Sequence, residues 1–236
     1  MKIQMHISLI AMTFVILFVS ICQTDGASFT VPGTVDLWLA GMPPPATAAG
    51  GTDVAPDQSP VEVTGLGISP GDYLTFSATG SVRHGPSYAY YGPDGDPGNY
   101  LARTGADNHI ANTSTFIDAL IGVFLSADPP NGTPAPADST FNNSDCNYEI
   151  LHPLLKQPFF IGNGVTSAGI VQQVDVPDGA ARLFLGVMDT GCYNNAGSFT
   201  VNVQTVPEPS SLILLATCAL GLVAYAWRRR RQATLN

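Results

Sequence analysis

Positive charge is scarce through most of this chain. Between Ser28 and Val206 only Arg83, Arg103, Lys156 and Arg182 are basic, against sixteen Asp and Glu, which leaves that span at −12. A surface so acidic repels phosphate backbones and anionic lipid and draws cations, which excludes nucleic acid as a partner. Helical periodicity is missing from that span as well: none of its segments repeats apolar residues at i, i+3, i+4 and i+7 over three turns. Charged residues make up only 11% of the 236 positions, whereas Gly (24) and Pro (19) are plentiful. Both residues break helices and punctuate strands, which points to a turn-rich β protein. Catalytic signatures are absent too. The four His (His6, His84, His109, His152) form no HExxH and no paired metal spacing, and there is no phosphate loop and no CxxC. Gly67-Ile-Ser-Pro-Gly71 has the letters of a hydrolase nucleophile elbow. That elbow's oxyanion hole needs the N–H of the residue after the serine, and Pro70 has none. The segment reads as a hairpin turn, and the chain is expected not to be an enzyme.

The two ends carry addresses. Met1 to Ala27 has the layout of a secretory signal: Lys2 as a thin positive region, an apolar run from Ile7 to Val19, and Asp25-Gly-Ala27 as a small-residue cleavage site, so the mature chain is expected to start near Ser28. At the other end Val206-Pro-Glu-Pro-Ser210 leads into a membrane helix over 211–227 and then Arg228, Arg229, Arg230 and Arg231. The apolar stretch from Leu212 to Trp227 is 16 residues, slightly short of the roughly 17–25 of an ordinary span. Trp227 and the arginines extend it by anchoring at the interface, and the arginine cluster holds that end in the cytoplasm with the preceding domain outside. The prolines end any strand that approaches them. This tail, with Pro207, Glu208 and Pro209 ahead of the helix and the arginines after it, resembles the PEP-CTERM sorting signal. The resemblance implies processing by an exosortase at or near the Pro-Glu-Pro motif, and a place on the cell surface, in the envelope or in an exopolysaccharide matrix, with only transient membrane anchoring.

The middle alternates apolar and polar residues at period two, the mark of half-buried strands. Tyr73–Thr79, Gly197–Gln204, Val61–Thr64, Gln172–Val176 and Arg182–Val187 show it, and Ala119–Leu125 is a continuous apolar run suited to the centre of a sheet. Turn signals at Ser69–Asp72, Pro93–Gly98 and Pro177–Gly179 separate them. The expected fold is all-β, a jelly roll or β-sandwich over 61–205. Residues 28–60 read as an extended approach whose Pro/Ala/Gly-rich part, Trp38 to Pro60, wraps the domain loosely, and 128–147 as a long Pro-, Asn- and Ser-rich loop, disordered or inserted. Cys22 leaves with the signal and Cys218 lies in the membrane segment. Cys146 and Cys192 remain as an even pair in an oxidising compartment, so a disulfide is expected, with two free thiols as the alternative.

One loop has the chemistry of a cation site. Asp189, Asn194 and Asn195 put a carboxylate and two amide oxygens just ahead of a strand, the hard oxygen ligands that Ca²⁺ prefers; an Asn/Gly-rich hairpin is the plainer reading. Asp94-Gly-Asp96 with Asn99 lacks the closing Glu of an EF-hand and reads as a polar turn. From about Val61 to Val203 the sequence resembles the galactose-binding PA-I-type bacterial lectins, small calcium-dependent jelly rolls. The pieces that carry the likeness are Ser69–Gly80, His84-Gly-Pro86, Tyr91–Asp96, Ala119–Gly122 and Asn194–Val203. The resemblance implies calcium held by the side chains of Asp189, Asn194 and Asn195 and by the backbone carbonyls of His84 and Gly191, with sugar hydroxyls completing the shell. The loop is two residues shorter than the family's, and Asn99 and Ala102 stand where the family has its sugar-contacting His and Gln, so galactose specificity is not implied. The reading is a calcium-dependent carbohydrate-binding module; the alternative is a structural surface or biofilm matrix protein with no ligand.

Overall fold

The computed structural model describes residues 26–103 and 105–206, together with positions 217, 220, 221, 224 and 225 of the tail. Most of the secretory signal, the Pro-Glu-Pro motif and most of the expected membrane helix therefore lie outside the described residues. Among the described residues no helix is long and apolar enough to cross a membrane. The described residues up to Val206 form one compact unit.

In chain order the strands are β1 (Gly26–Pro32), β2 (Thr47–Ala48), β3 (Asp53–Val54), β4 (Val61–Glu62), β5 (Tyr73–Arg83), β6 (Tyr100–Arg103), β7 (Thr113–Phe116), β8 (Leu120–Leu125), β9 (Ser139–Thr140), β10 (Ile150–Leu151), β11 (Phe159–Phe160), β12 (Gln173–Asp175), β13 (Arg182–Val187) and β14 (Ala196–Val206). They make a β-sandwich. One sheet runs β1-β14-β5-β12-β10 and the other β11-β8-β13-β4, with β2-β3 and β6-β7-β9 as smaller sheets. Period-two patterning explains the two long strands. Leu74, Phe76, Ala78 and Val82 of β5, and Phe199, Val201 and Val203 of β14, turn inward while their neighbours face water. Strand β8 is buried along its whole length, as its unbroken apolar sequence requires of a strand inside a sheet. Phe159 bridges the layers: its ring stacks on Phe124 of β8 at 5.3 Å and meets Phe76 of the opposite sheet at 6.3 Å. Burying each such ring stabilises the fold by roughly 1.5–3 kcal/mol.

Two features differ from the sequence reading. The segment 28–60 is not a loose approach. Strand β1 lies along β14 over seven residue pairs, from Gly26 opposite Gln204 to Pro32 opposite Ser198, so the sandwich begins at the supposed cleavage region rather than at 61. Beyond it Leu37, Trp38, Leu39 and Ala40 are all buried, and the Trp38 indole N–H donates to the Ala111 carbonyl at 3.1 Å. The Pro- and Gly-rich composition concealed an apolar tetrapeptide that the core needs. The stretch 128–147 is also fastened rather than disordered. Ser139–Thr140 pairs with β7, and the Lys156 ammonium donates to the carbonyls of Thr133 (2.7 Å) and Pro134 (2.6 Å) and to the Thr133 hydroxyl (2.7 Å).

Candidate cation site

Register decides what meets at one end of the sandwich. Strand β14 pairs with β5 over eleven residues, with Ala196 opposite Arg83, so His84 leaves β5 where Asn195 enters β14. Strand β13 pairs with β8 with Val187 opposite Leu120. Beyond that pair the Asp118 N–H donates to the Met188 carbonyl (2.8 Å) and the Met188 N–H to the Ala119 carbonyl (2.9 Å). Asp118, His84, Asp189 and Asn195, separated by up to 111 positions in the chain, are thereby gathered at the ends of four strands.

The loop between β13 and β14 is held from outside. Asp53, fully buried, accepts from the Cys192 N–H (2.7 Å) and the Tyr193 N–H (3.0 Å), which fixes the 3-10 turn Cys192–Asn194. The Asp189 carboxylate accepts from the Thr190 N–H at 2.6 Å, and its backbone carbonyl accepts from Arg103 at 2.9 Å. Asn195 donates through Nδ2 to the Gly33 carbonyl at 3.1 Å, while its Oδ1 is buried with no hydrogen-bonding partner. Asn194 is exposed, with its amide 3.5 Å from where a side chain at Gly85 would begin, which sets it beside the His84–Gly85 peptide. Gly191 heads the turn in an extended conformation, against Thr52.

Asp118 was missed by the sequence reading. It is fully buried, with φ at +66°; its Oδ2 lies 2.6 Å from His84 Nδ1, and its Oδ1 has no partner. A lone carboxylate inside the apolar run Phe116–Leu125 was the available signal, because a buried charge needs a compensating group. Burial pushes the Asp118 carboxyl up, opposed by His84 and reinforced by the charge of Asp189. Burial likewise pushes Asp189 up, opposed by Asn195 and by the Thr190 and Gly191 N–H groups. Asp118 and Asp189 thus bring two carboxyls to one end of the sandwich, together with the unpartnered oxygens of Asp118 and Asn195, and carboxylate and amide oxygens are hard donors of the kind divalent cations take.

A second acidic cluster is already satisfied. Ligand atoms of Asp36, Asp53 and Cys192 lie within 4.8 Å of one another, all buried. The Arg103 guanidinium, however, grips both Asp36 oxygens (3.2 and 2.9 Å) and lies 4.1 Å from the Trp38 ring. Burial pushes Asp36 up to about 6 against that pull. Arginine supplies here the charge a metal would bring.

The expected Cys146–Cys192 disulfide is not formed. Both thiols are free: Cys146 lies in the turn Asp145–Asn147 with its sulfur toward the Phe141 carbonyl, and Cys192 is sealed beneath the Asp53 loop with its sulfur toward Val187. An even cysteine count gave the pairing without the geometry. Asp94 and Asp96 behave as turn residues, accepting from the backbone N–H groups of Asn163 (2.8 Å) and Gly98 (2.9 Å). Asn99 closes that turn through its own N–H to Asp96. Ala102 opens on a cavity of about 410 Å³ shared with Ala49, Gly50, Arg103, Asp107 and Thr190, next to Asp189.

At the other end of β14 the last paired residue is Val206, directly before Pro207, where the missing proline N–H would break the ladder. Residues 205–231 match the PEP-CTERM protein-sorting motif. The chain carries a PEP-CTERM sorting signal. Such a signal marks export, exosortase processing and handling at the cell envelope. Among solved structures the PEP-CTERM chain is similar to one described as the EclA N-terminal domain, a PllA-like lectin. That similarity has 18% identity over 75% of this chain and 94% of that one, at a TM-score of 0.34. No curated protein matches it in sequence.

Proposed function

We propose that the domain is a non-catalytic, calcium-dependent carbohydrate-binding module, displayed at the cell surface or in an extracellular polysaccharide matrix once an exosortase has processed its tail. The observation that carries the reading is the Asn195 amide oxygen, buried beside Asp189 without a partner, on a loop whose turn is fixed by Asp53. An acceptor left so costs roughly 1–3 kcal/mol unless something fills it. Asp189, Asn194 and Asn195, with the carbonyls of His84 and Gly191, would hold the ion. Bound there, calcium would offer remaining coordination positions to the hydroxyls of a sugar. Tyr88 and Tyr193, 55% and 57% exposed, lie next to the exposed Asn194 and would offer aromatic surface to the apolar side of a sugar. The cavity beside Ala102 and Thr190 gives a pendant group room.

Extracellular calcium sites typically have Kd values of about 10⁻⁴ to 10⁻³ M. At about ten times Kd, calcium should stabilise the fold by roughly 1.4 kcal/mol. The expected result is a melting temperature a few degrees higher in calcium than in chelator, with Asp189→Ala abolishing the difference while keeping the β-sheet circular dichroism. A glycan array probed with and without chelator then reads the ligand. Identical melting of wild type and Asp189→Ala in both conditions would leave the structural matrix protein as the better reading.

For the tail, mass spectrometry of the protein recovered from its native envelope should find a start near Ser28 and an end near Pro207–Pro209. Recovery of chains still ending in the Arg228–Arg231 cluster would count against exosortase processing.

A further inference from the structure

Asp118 lies outside the Asp189–Asn195 loop, and nothing in that loop's sequence accounts for it. Its position is unfavourable: a fully buried carboxylate stands in the chain between buried Phe116-Ile117 and buried Ala119-Leu120, on a residue with a left-handed φ of +66°. A buried charge persists where something compensates it. His84 accounts for one oxygen, at 2.6 Å from Oδ2. The other, Oδ1, is buried and unpartnered. None of the four basic residues of the domain is placed to serve it. Arg103 is committed to Asp36, Asp107 and the Asp189 carbonyl. Arg83 lies over the Tyr90 ring and donates to the Pro86 carbonyl. Arg182 donates to the Ser126 and Asp128 carbonyls, and Lys156 to those of Thr133 and Pro134. Meanwhile the backbone bonds between Asp118 and Met188 and between Met188 and Ala119 keep Asp118 alongside the start of the Asp189 loop.

We propose that Asp118 is a second carboxylate ligand of the cation held by the Asp189–Asn195 loop, and that the His84 ring is the positioning residue that turns its free oxygen toward that site. The inference rests on the calcium reading above and sharpens it. Two carboxylates match the charge of a divalent ion, so affinity falls at the tighter end of the extracellular range and the site discriminates against monovalent cations. His84 then acts twice, through its carbonyl on the ion and through its ring on Asp118.

The test titrates the exported, processed protein with calcium by calorimetry, and with terbium by the luminescence that neighbouring tyrosines sensitise, in wild type, Asp118→Asn and Asp189→Asn. Asp118→Asn keeps an oxygen for His84 and removes only the charge. It is expected to weaken calcium and terbium binding by about tenfold or more, comparably to Asp189→Asn. A change below about threefold, with Asp189→Asn still strongly impaired, overturns the inference and leaves the calcium reading standing. Absence of binding in the wild type overturns both. Should Asp118→Asn fail to fold, the wild type alone decides: two aspartate side-chain carboxyl carbon resonances should shift strongly on adding calcium, and a single responding carboxyl would refute a second ligand.

Discussion

Arg103→Met should destabilise the calcium-free domain by about 3–5 kcal/mol, the usual consequence of stripping one partner from a buried ion pair. For a domain of this size that is a fall in melting temperature of roughly 10 °C or more. The side chain is 3% exposed and joins three pieces of chain: Asp36 in the N-terminal segment, Asp107 four residues on, and the Asp189 carbonyl at the proposed cation site. Methionine matches much of its volume, so the loss measures charge and hydrogen bonds rather than a cavity. The deficit should also depend on pH in a defined sense. Folding raises the Asp36 carboxyl from its ordinary 3.8 to about 6. The folded state therefore holds a proton that the unfolded chain has released, and Asp36 favours folding at low pH and loses that effect as pH rises through about 6. Without Arg103 the carboxyl rises further. The variant's deficit against wild type should accordingly be smaller at about pH 5 than at about pH 8. Urea unfolding at the two pH values reads this directly; an equal deficit at both would show that Asp36 is not the group left unpaired.

Gly197→Ala is expected to be nearly as damaging, at about 3 kcal/mol or more. Gly197 has φ +89°, and a Cβ there would stand 2.2 Å from the Ser81 carbonyl oxygen and 3.0 Å from the Tyr90 ring. Because Gly197 pairs with Val82 in the longest ladder of the fold, the clash cannot be relieved by turning a side chain; β5 and β14 have to separate. Gly132→Ala is the control, since nothing lies within 4 Å of its Cβ position, and it should stay within about 0.5 kcal/mol of wild type. Chemical denaturation of the two variants side by side checks the contrast, and a mild effect at Gly197 would mean the strand pair is more pliant than its register suggests.

What could be read from sequence follows the range of the interactions involved. The alternation in Tyr73–Thr79 and Gly197–Gln204 is local, and it led directly to β5 and β14. Asp189, Asn194 and Asn195 were legible because one short loop carries all three. Asp53 was not, because its role depends on N–H groups 139 and 140 residues away, and its Pro- and Gly-rich surroundings gave no periodicity to place it. Arg103 reaches Asp36 across 67 residues, so its ion pair could not be foreseen from either neighbourhood. Asp118 did carry a local mark, a carboxylate within an apolar strand run, but its partner His84 becomes apparent only once β5 and β8 are docked. The cysteines erred in the other direction: compartment and parity favoured a bridge, and the packing around each sulfur set its partners otherwise.

Strand β14 also defines a line of force. It starts at Ala196, beside the proposed cation, and ends at Val206, directly before Pro207 of the Pro-Glu-Pro triplet. Eleven residues at about 3.3 Å each separate the two points by on the order of 35 Å. A pull between a ligand at the loop and a tether beyond Val206 runs along β14, which is flanked by β1 on one side and by β5 on the other, both antiparallel. Load borne by Asn195 passes along the β14 backbone itself, while load borne by His84 at the end of β5 reaches β14 through their shared ladder in shear, all rungs together, instead of unzipping it one rung at a time from an end. The same strand that places Asn195 at the site is thus the mechanical link between whatever the domain grips and whatever holds its C-terminus.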